Sequence, residues 1–392
     1  MARGYIQKRG KKSWLLVYDL ERNINGKRNR KTKTIKVNTL REAEKALANF
    51  INEIEKGYVT DKASIKFKDF IEIWIRDYAQ EHLAPKTFFE HKKRLDGRII
   101  PVLGQLKLKE IDADVLRQYY NSLKQPNTRH DRRNGSLSQQ TILHIHRLIS
   151  AILEKAVKWG YVAVNPVKRV EAPKVPRHQI KIYDEDNMAK LISAIEEVDI
   201  KYRLMIYIAI STGLRRGEIM GLDWTDVNLE TGEIKINKSS QYIPKTGVFI
   251  KSPKNEHSIR QVYLSPTILP LLKSYKEIQE KERENVGSLW RESGKIFVTW
   301  CGEPMHPDTI SKWFTNFLKR KNLPPIVFHS LRHASASLAI AMGVNVKTVS
   351  SRLGHANIST TMDIYGHALT NADMEAAKKL DIVFRNLDKP NA

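Results

Sequence analysis

The sequence predicts a multidomain α+β protein: a small N-terminal β-sheet plus helix, an all-helical segment, and a mainly helical C-terminal domain with a small antiparallel sheet. Three observations carry this. Short alternating runs at Ser13–Asp19 and Thr32–Val37 flank a turn signal at Asn23–Gly26. From Ser64 to Pro166 the apolar residues recur at helical spacing. Beyond Lys181 helical stretches are broken by strand-like pieces at Glu233–Lys238, Ser258–Leu264 and Lys295–Trp300.

The N-terminal part closes with a capping box, Thr39-Leu-Arg-Glu42, which opens an amphipathic helix carrying Leu40, Ala43, Leu47, Phe50, Ile51 and Ile54 and ended by Gly57. The helical segment starts with Phe67, Phe70, Ile71, Trp74, Ile75 and Tyr78 on one face. Asp112 caps a second helix, with Val115, Leu116, Tyr119 and Leu123 inward. Ser138 caps a third, which buries Ile142, Ile145, Leu148, Ile149, Ile152 and Leu153. Val170–Gln179 is Pro-rich and reads as a linker. Helices are then expected over Asp184–Glu197 and Lys201–Thr212.

Charge narrows the function. The chain has 392 residues and a formal net charge of +24. Its first 36 residues hold twelve Lys or Arg against two acids, Asp19 and Glu21. Such self-repulsion is relieved by a polyanion, and nucleic acid is the expected partner. Arg28, Arg30, Lys31 and Lys33, in or beside the second strand, are the candidate DNA contacts. No apolar run approaches the ~20 residues of a membrane span, so no membrane role is expected. The N-terminus lacks the apolar stretch of a secretory signal. Cys301 is the single cysteine, which fits a reducing, cytoplasmic setting.

Four C-terminal segments carry chemistry: Ser211-Thr-Gly-Leu-Arg-Arg-Gly-Glu218, Ser252-Pro-Lys-Asn-Glu-His-Ser-Ile-Arg260, His329-Ser-Leu-Arg-His333, and Leu353-Gly-His355 followed by Tyr365. In order and spacing they resemble the signature boxes of the tyrosine recombinase family, most closely phage and conjugative-element integrases. Metal-free displacement at a phosphodiester builds negative charge on nonbridging oxygens, and a guanidinium fork can bind two of them without losing its proton. By resemblance Arg215, directly after Gly-Leu, and Arg332 are the clamps; Arg216 is the neighbour most easily confused with the first. Glu218 is expected to brace the site. Lys254, expected in a hairpin turn and rivalled by Lys251, inherits the role of general acid on the leaving 5′ oxygen. His355 donates to the phosphate. Tyr365 is the nucleophile, and His329 is the candidate acceptor of its proton.

His329 and His333 have the spacing of a metal pair, but Ser330 stands where zincins carry glutamate. No metal and no cofactor are expected. The resemblance implies an arm-type DNA-binding domain (1–60), a helical core-binding domain (64–168), a linker (169–180) and a catalytic domain with a C-terminal tail (181–392). It further implies a homotetramer on double-stranded DNA attachment sites, with the chain end from about Asp373 docking on a neighbour. A directionality factor (excisionase) and a host DNA-bending protein are the implied accessory partners. A type IB topoisomerase, a DNA-binding regulator without catalysis and a metal-dependent nuclease are the rival readings.

Overall fold

The computed structural model describes residues 3–20, 29–55, 61–126, 128–129, 135–176, 181–252, 259–354, 357, 362 and 381. They fall into two compact units, Met1–Arg177 and His178–Ala392.

In the first unit, β1 (Arg3–Lys8), β2 (Ser13–Leu20) and β3 (Asn29–Lys36) form an antiparallel sheet in that order. β1 escapes sequence reading because its one apolar pair, Tyr5-Ile6, is adjacent and shows no alternation. Leu16 pairs with Ile6 on one side and Lys33 on the other, so these three share a face. That face packs on α1 (Leu40–Glu55) through Leu16, Tyr18, Ile35, Leu47, Phe50 and Ile51. The capping box is made: the Glu42 N–H donates to Thr39 Oγ1 (3.3 Å), and the Thr39 N–H to Glu42 Oε2 (3.3 Å). Asn23–Gly26 and Gly57 lie outside the described residues.

The helical part contains α2 (Phe67–Trp74), α3 (Pro85–Arg94), α4 (Ala113–Ser122) and α5 (Gln139–Lys158). α2 and α3 each run on through a π turn, Ile75–Ala79 and Leu95–Ile99. Asp112 Oδ1 accepts from the Val115 N–H (2.8 Å) and Ser138 Oγ from the Thr141 N–H (3.2 Å), as the sequence requires. Phe67, Phe70, Ile71, Leu95, Ile99, Leu116, Ile145 and Ile149 fill the core. α3 is absent from the sequence reading for a physical reason. None of its own residues is fully buried, so it carries no apolar period; the burial comes from Leu95, Ile99 and Leu103 just beyond it.

The second unit contains α6 (Glu185–Ile195), α7 (Ile200–Thr212) and the single turn α8 (Arg216–Ile219). Four strands follow: β4 (Glu233–Ile236), β5 (Ser239–Ile243), β6 (Gly247–Lys251) and β7 (Arg260–Tyr263). Among the described residues, the helices α9 (Leu269–Val286), α10 (Thr309–Arg320), α11 (Ser330–Ala341) and α12 (Val346–Leu353) come next. A core of Leu204, Ile208, Leu214, Ile219, Ile234, Val262, Leu272, Phe297, Phe314 and Leu331 ties them together.

One expectation is corrected. Lys295–Trp300 is not a strand: it makes isolated bridges, Lys295 to Asp223 and Val298 to Pro304. Its consecutive buried residues Ile296, Phe297 and Val298 mimic one. β6 pairs with β5 and β7 with β4; the turn expected at Lys254 lies outside the described residues. Among the described residues no helix is long and apolar enough to cross a membrane.

Replacing Asp112 with alanine removes a made N-cap, at a cost of about 1 kcal/mol. A thermal melt that is lower than that of the parent chain is expected; an unchanged melt would show that the cap contributes nothing.

Candidate active site

The site grows from two helix C-termini. α7 ends at Gly213 in the left-handed conformation (φ 66°), and α12 ends the same way at Gly354 (φ 67°). A Cβ on Gly213 would lie 2.6 Å from Leu353 Cδ2, so the two ends are in direct contact. The carbonyls freed there point at arginines. Arg332, 3% exposed, donates from Nη1 to the Gly213 carbonyl (2.6 Å) and from Nη2 to the Leu353 carbonyl (2.7 Å). Burying a guanidinium costs several kcal/mol. The negative ends of two helices, with charge-assisted hydrogen bonds, offset that cost.

Arg215 caps α8. Its N–H donates to Glu218 Oε2 (2.8 Å) and its Nη1 to Glu218 Oε1 (2.9 Å), while Nη2 reaches the Gly354 carbonyl (3.4 Å). Its side chain stays 40% exposed, so the guanidinium is open to an anion. Glu218 is buried and also accepts from Arg260, Nη1 to Oε1 (3.1 Å) and Nη2 to Oε2 (2.8 Å). Arg260 Nε donates to the Arg352 carbonyl (2.8 Å), and Arg352 Nη2 to the carbonyls of Ser211 and Tyr263 (both 2.8 Å). Burial by itself would raise the Glu218 pKa. The hydrogen bonds and charge of Arg260, then those of Arg215, overcome it and hold the carboxyl below its ordinary range.

His329 precedes α11 and Arg332 lies on its first turn, so both issue from the same end of that helix. His329 is exposed, although neighbouring groups pack around its ring. Desolvation by those neighbours, then the charges of Arg332, Arg215 and Arg216, lower its pKa and favour the neutral imidazole. His333 is buried with its ring 5.0 Å from that of His329, edge to face, and burial pushes it down to about 4. Among the described residues no group of three His, Cys, Asp or Glu could hold a metal ion.

Comparison with known proteins identifies the family. Residues 181–372 match the phage integrase family, and 66–124 and 98–174 match two SAM-like domains of phage integrases. A tyrosine recombinase of Thermosipho africanus is 31% identical over 224 residues, 56% of this chain and 69% of that protein. This chain belongs to the tyrosine recombinase family. A XerC-like tyrosine recombinase of Caldanaerobacter subterraneus is 29% identical across 96% of this chain and 98% of its own length. The fold matches that of the Tn1549 transposon integrase in complex with a circular intermediate DNA, with TM-score 0.65 and 18% identity over 80% of this chain and 99% of that one. The chain is accordingly a site-specific recombinase, an enzyme that cleaves and rejoins DNA.

Of the recombinase's expected site residues, the structure brings Arg215, Arg332 and His329 together. Lys254, His355, Tyr365 and Arg28 lie outside the described residues. Glu218 braces as expected. Arg260, whose side chain is buried against Glu218, is a site residue that the sequence reading misses. The signal was available: on a strand it shares a face with buried Val262, and a buried arginine requires an acceptor such as Glu218. In the N-terminal sheet the candidates divide. Lys33 lies over the Phe50 ring on the α1 side (5.8 Å), with Lys31 on the same face of β3. Arg30 lies on the other face, bonded to Asp19 (2.9 Å) and over the Tyr5 ring (5.8 Å).

Two outcomes follow from this geometry. Gly213→Ala forces a Cβ into Leu353 at positive φ and is expected to destabilise by about 1–3 kcal/mol; a chain as stable as the parent in urea would contradict it. Because the Glu218 pKa is depressed, its contribution is complete above the ordinary carboxylate range and is lost as pH falls through its native value. Glu218→Gln is expected to cost about 3 kcal/mol near neutral pH and to flatten the acid side of the stability–pH curve, read by melts between about pH 3 and 7.

Proposed function

We propose that this recombinase integrates and excises a mobile genetic element, cutting each strand by attack of Tyr365 to give a 3′-phosphotyrosine bond. Arg215 and Arg332 bind the nonbridging oxygens of the scissile phosphate, and His355 donates to the same group. His329 accepts the phenol proton of Tyr365, and Lys254 protonates the departing 5′ oxygen. The bond to Tyr365 conserves the phosphodiester, so religation to a second 5′ hydroxyl needs no ATP, metal or cofactor. The observation that carries this reading is the convergence of Arg215 and Arg332 on the C-termini of α7 and α12, beside His329 and directly before His355 in the chain.

Residues 181–392 are assigned the chemistry, 64–168 the grip on the core DNA site, 169–180 the link between them, and 1–60 the recognition of a separate arm site. On β3 the face turned from α1 carries Arg30, Thr32, Thr34 and Lys36, so we assign groove contacts to that face. Lys31 and Lys33 on the α1 side are assigned to phosphates. One nucleophile per chain and four strands to exchange between two duplex sites require four protomers on DNA, with the tail from about Asp373 engaging a neighbour. A directionality factor and a host DNA-bending protein complete the proposed assembly.

The test is a nicked suicide duplex built from the DNA at the element ends flanking the gene. A covalent protein–DNA adduct is expected in EDTA, absent in Tyr365→Phe and slower by on the order of 10²–10³ in Arg332→Ala. An adduct that survives Tyr365→Phe would overturn the assignment.

A further inference from the structure

Among the described residues, β5 and β6 pair only with each other. A two-stranded ribbon is marginally stable alone, so other contacts must fix where it lies. Its seat is on α8. A Cβ on Gly217 would lie 2.4 Å from Ser239 Oγ and 3.0 Å from the Ser240 carbonyl oxygen. A Cβ on Gly221, just past the helix, would lie 3.0 Å from the Ser240 nitrogen and 3.3 Å from Ser239 Cα. Neither glycine has a positive φ, so what each supplies is room for the β5 backbone.

An ionic network holds the same end of the strand. Lys238, the residue before β5, pairs with Asp223 and with Asp226 Oδ2 (2.8 Å). Lys295, itself buried, pairs with Asp223 Oδ1 (2.6 Å) and donates to the Gly221 carbonyl (3.0 Å). Toward the other end of β5 the Tyr242 ring lies 4.0 Å from that of His306. The ladder carries the seat across to β6, because Ser239 pairs directly with Lys251, the last residue of that strand. Lys254 lies outside the described residues, three positions beyond Lys251, and three residues of chain span at most about 11 Å. Gly217 is two positions from Arg215. One contact thus links the turn that carries a phosphate clamp to the strand end that carries both candidate acids.

We propose that Gly217, Gly221 and Lys238 are positioning residues for strand cleavage: they seat β5 on the Arg215 turn and so fix the lysine-bearing end of β6 relative to the clamped phosphate. The glycines set how closely β5 approaches, and Lys238 holds it there. α8 is tied separately to the core through Leu214 and Ile219 and to Arg260 through Glu218, so a loosened seat displaces the ribbon rather than the clamp. The step served is protonation of the 5′ oxygen as its bond to phosphorus breaks. This role rests on the reading of a ribbon lysine, Lys254, as the general acid.

A nicked duplex with sulfur in place of the scissile 5′ bridging oxygen isolates that step. A thiol has a pKa near ~8.5, so its thiolate departs without a proton, while the nonbridging oxygens keep their charge. Single-turnover cleavage by the full chain is timed on this duplex and on the ordinary one. Lys238→Met removes the pin; Gly217→Ala and Gly221→Ala wedge β5 away with every charged group in place, and they carry the test if Lys238→Met does not fold. Each is expected to be about ten- to a hundredfold slower than the parent on the ordinary duplex and within about threefold of it on the sulfur duplex. Arg332→Ala, the control for a damaged clamp, is expected to stay slow on both. Equal defects of the seat variants on the two duplexes, or none on either, overturn the proposal, since a contact that serves stability alone does not distinguish leaving groups. Lys254→Met examines the underlying reading and is expected to be rescued by sulfur. Rescue of Lys251→Met and the seat variants, but not of Lys254→Met, moves the acid to Lys251 and leaves the seat standing. Rescue of neither lysine variant means that the ribbon carries no acid, and the proposal fails.

Discussion

Several guanidinium groups must be held close together before any phosphate arrives to neutralise them. This constraint organises the C-terminal unit. Like charges at short range repel, and a buried cation loses its hydration, so the fold has to supply negative potential from inside. It does so with one carboxylate and two helix ends. Glu218 takes Arg215 and Arg260, while the C-termini of α7 and α12 supply the carbonyls that receive Arg332 and Arg215. These partners leave much of Arg215 exposed to an incoming anion.

The same solution explains why residues far apart in sequence share one site. Arg332 joins α11 to the ends of α7 and α12; Arg352 joins α12 to Ser211 and Tyr263; Arg260 joins β7 to Glu218 and back to α12. Left-handed glycines at 213 and 354 let those helix ends approach and turn their carbonyls toward the cations. A change in any one of these arginines alters both packing and chemistry, so stability and rate have to be measured together for each variant.

The legibility of this chain in its sequence was uneven, for physical reasons. Caps and amphipathic faces were plain: Thr39, Asp112 and Ser138 all accept the expected backbone bonds. α3 was hidden because its burial comes from residues beyond it, and β5 because Ser239, Ser240 and Gln241 lack a strand's apolar alternation. At the site, Arg215, His329 and Arg332 were legible because their boxes resemble the tyrosine recombinase signature, and guanidinium groups suit a phosphate. The division of β3 was not, since only the register reveals which cations share the helix side. The seat of β5 on Gly217 and Gly221 was likewise invisible, because a glycine does not announce which backbone fills the room it leaves.

Charge complementarity to the scissile phosphate is the central claim, and it has a direct measurement. A suicide duplex with a methylphosphonate at the scissile position lacks one nonbridging negative charge, leaving less for a guanidinium to stabilise. Cleavage by the parent chain and by Arg332→Ala should be timed on this duplex and on the ordinary phosphate. The account predicts that the defect of Arg332→Ala shrinks by at least tenfold on the neutral linkage. An equal defect on both would mean that Arg332 serves the fold alone, and the phosphate-clamp reading would fail.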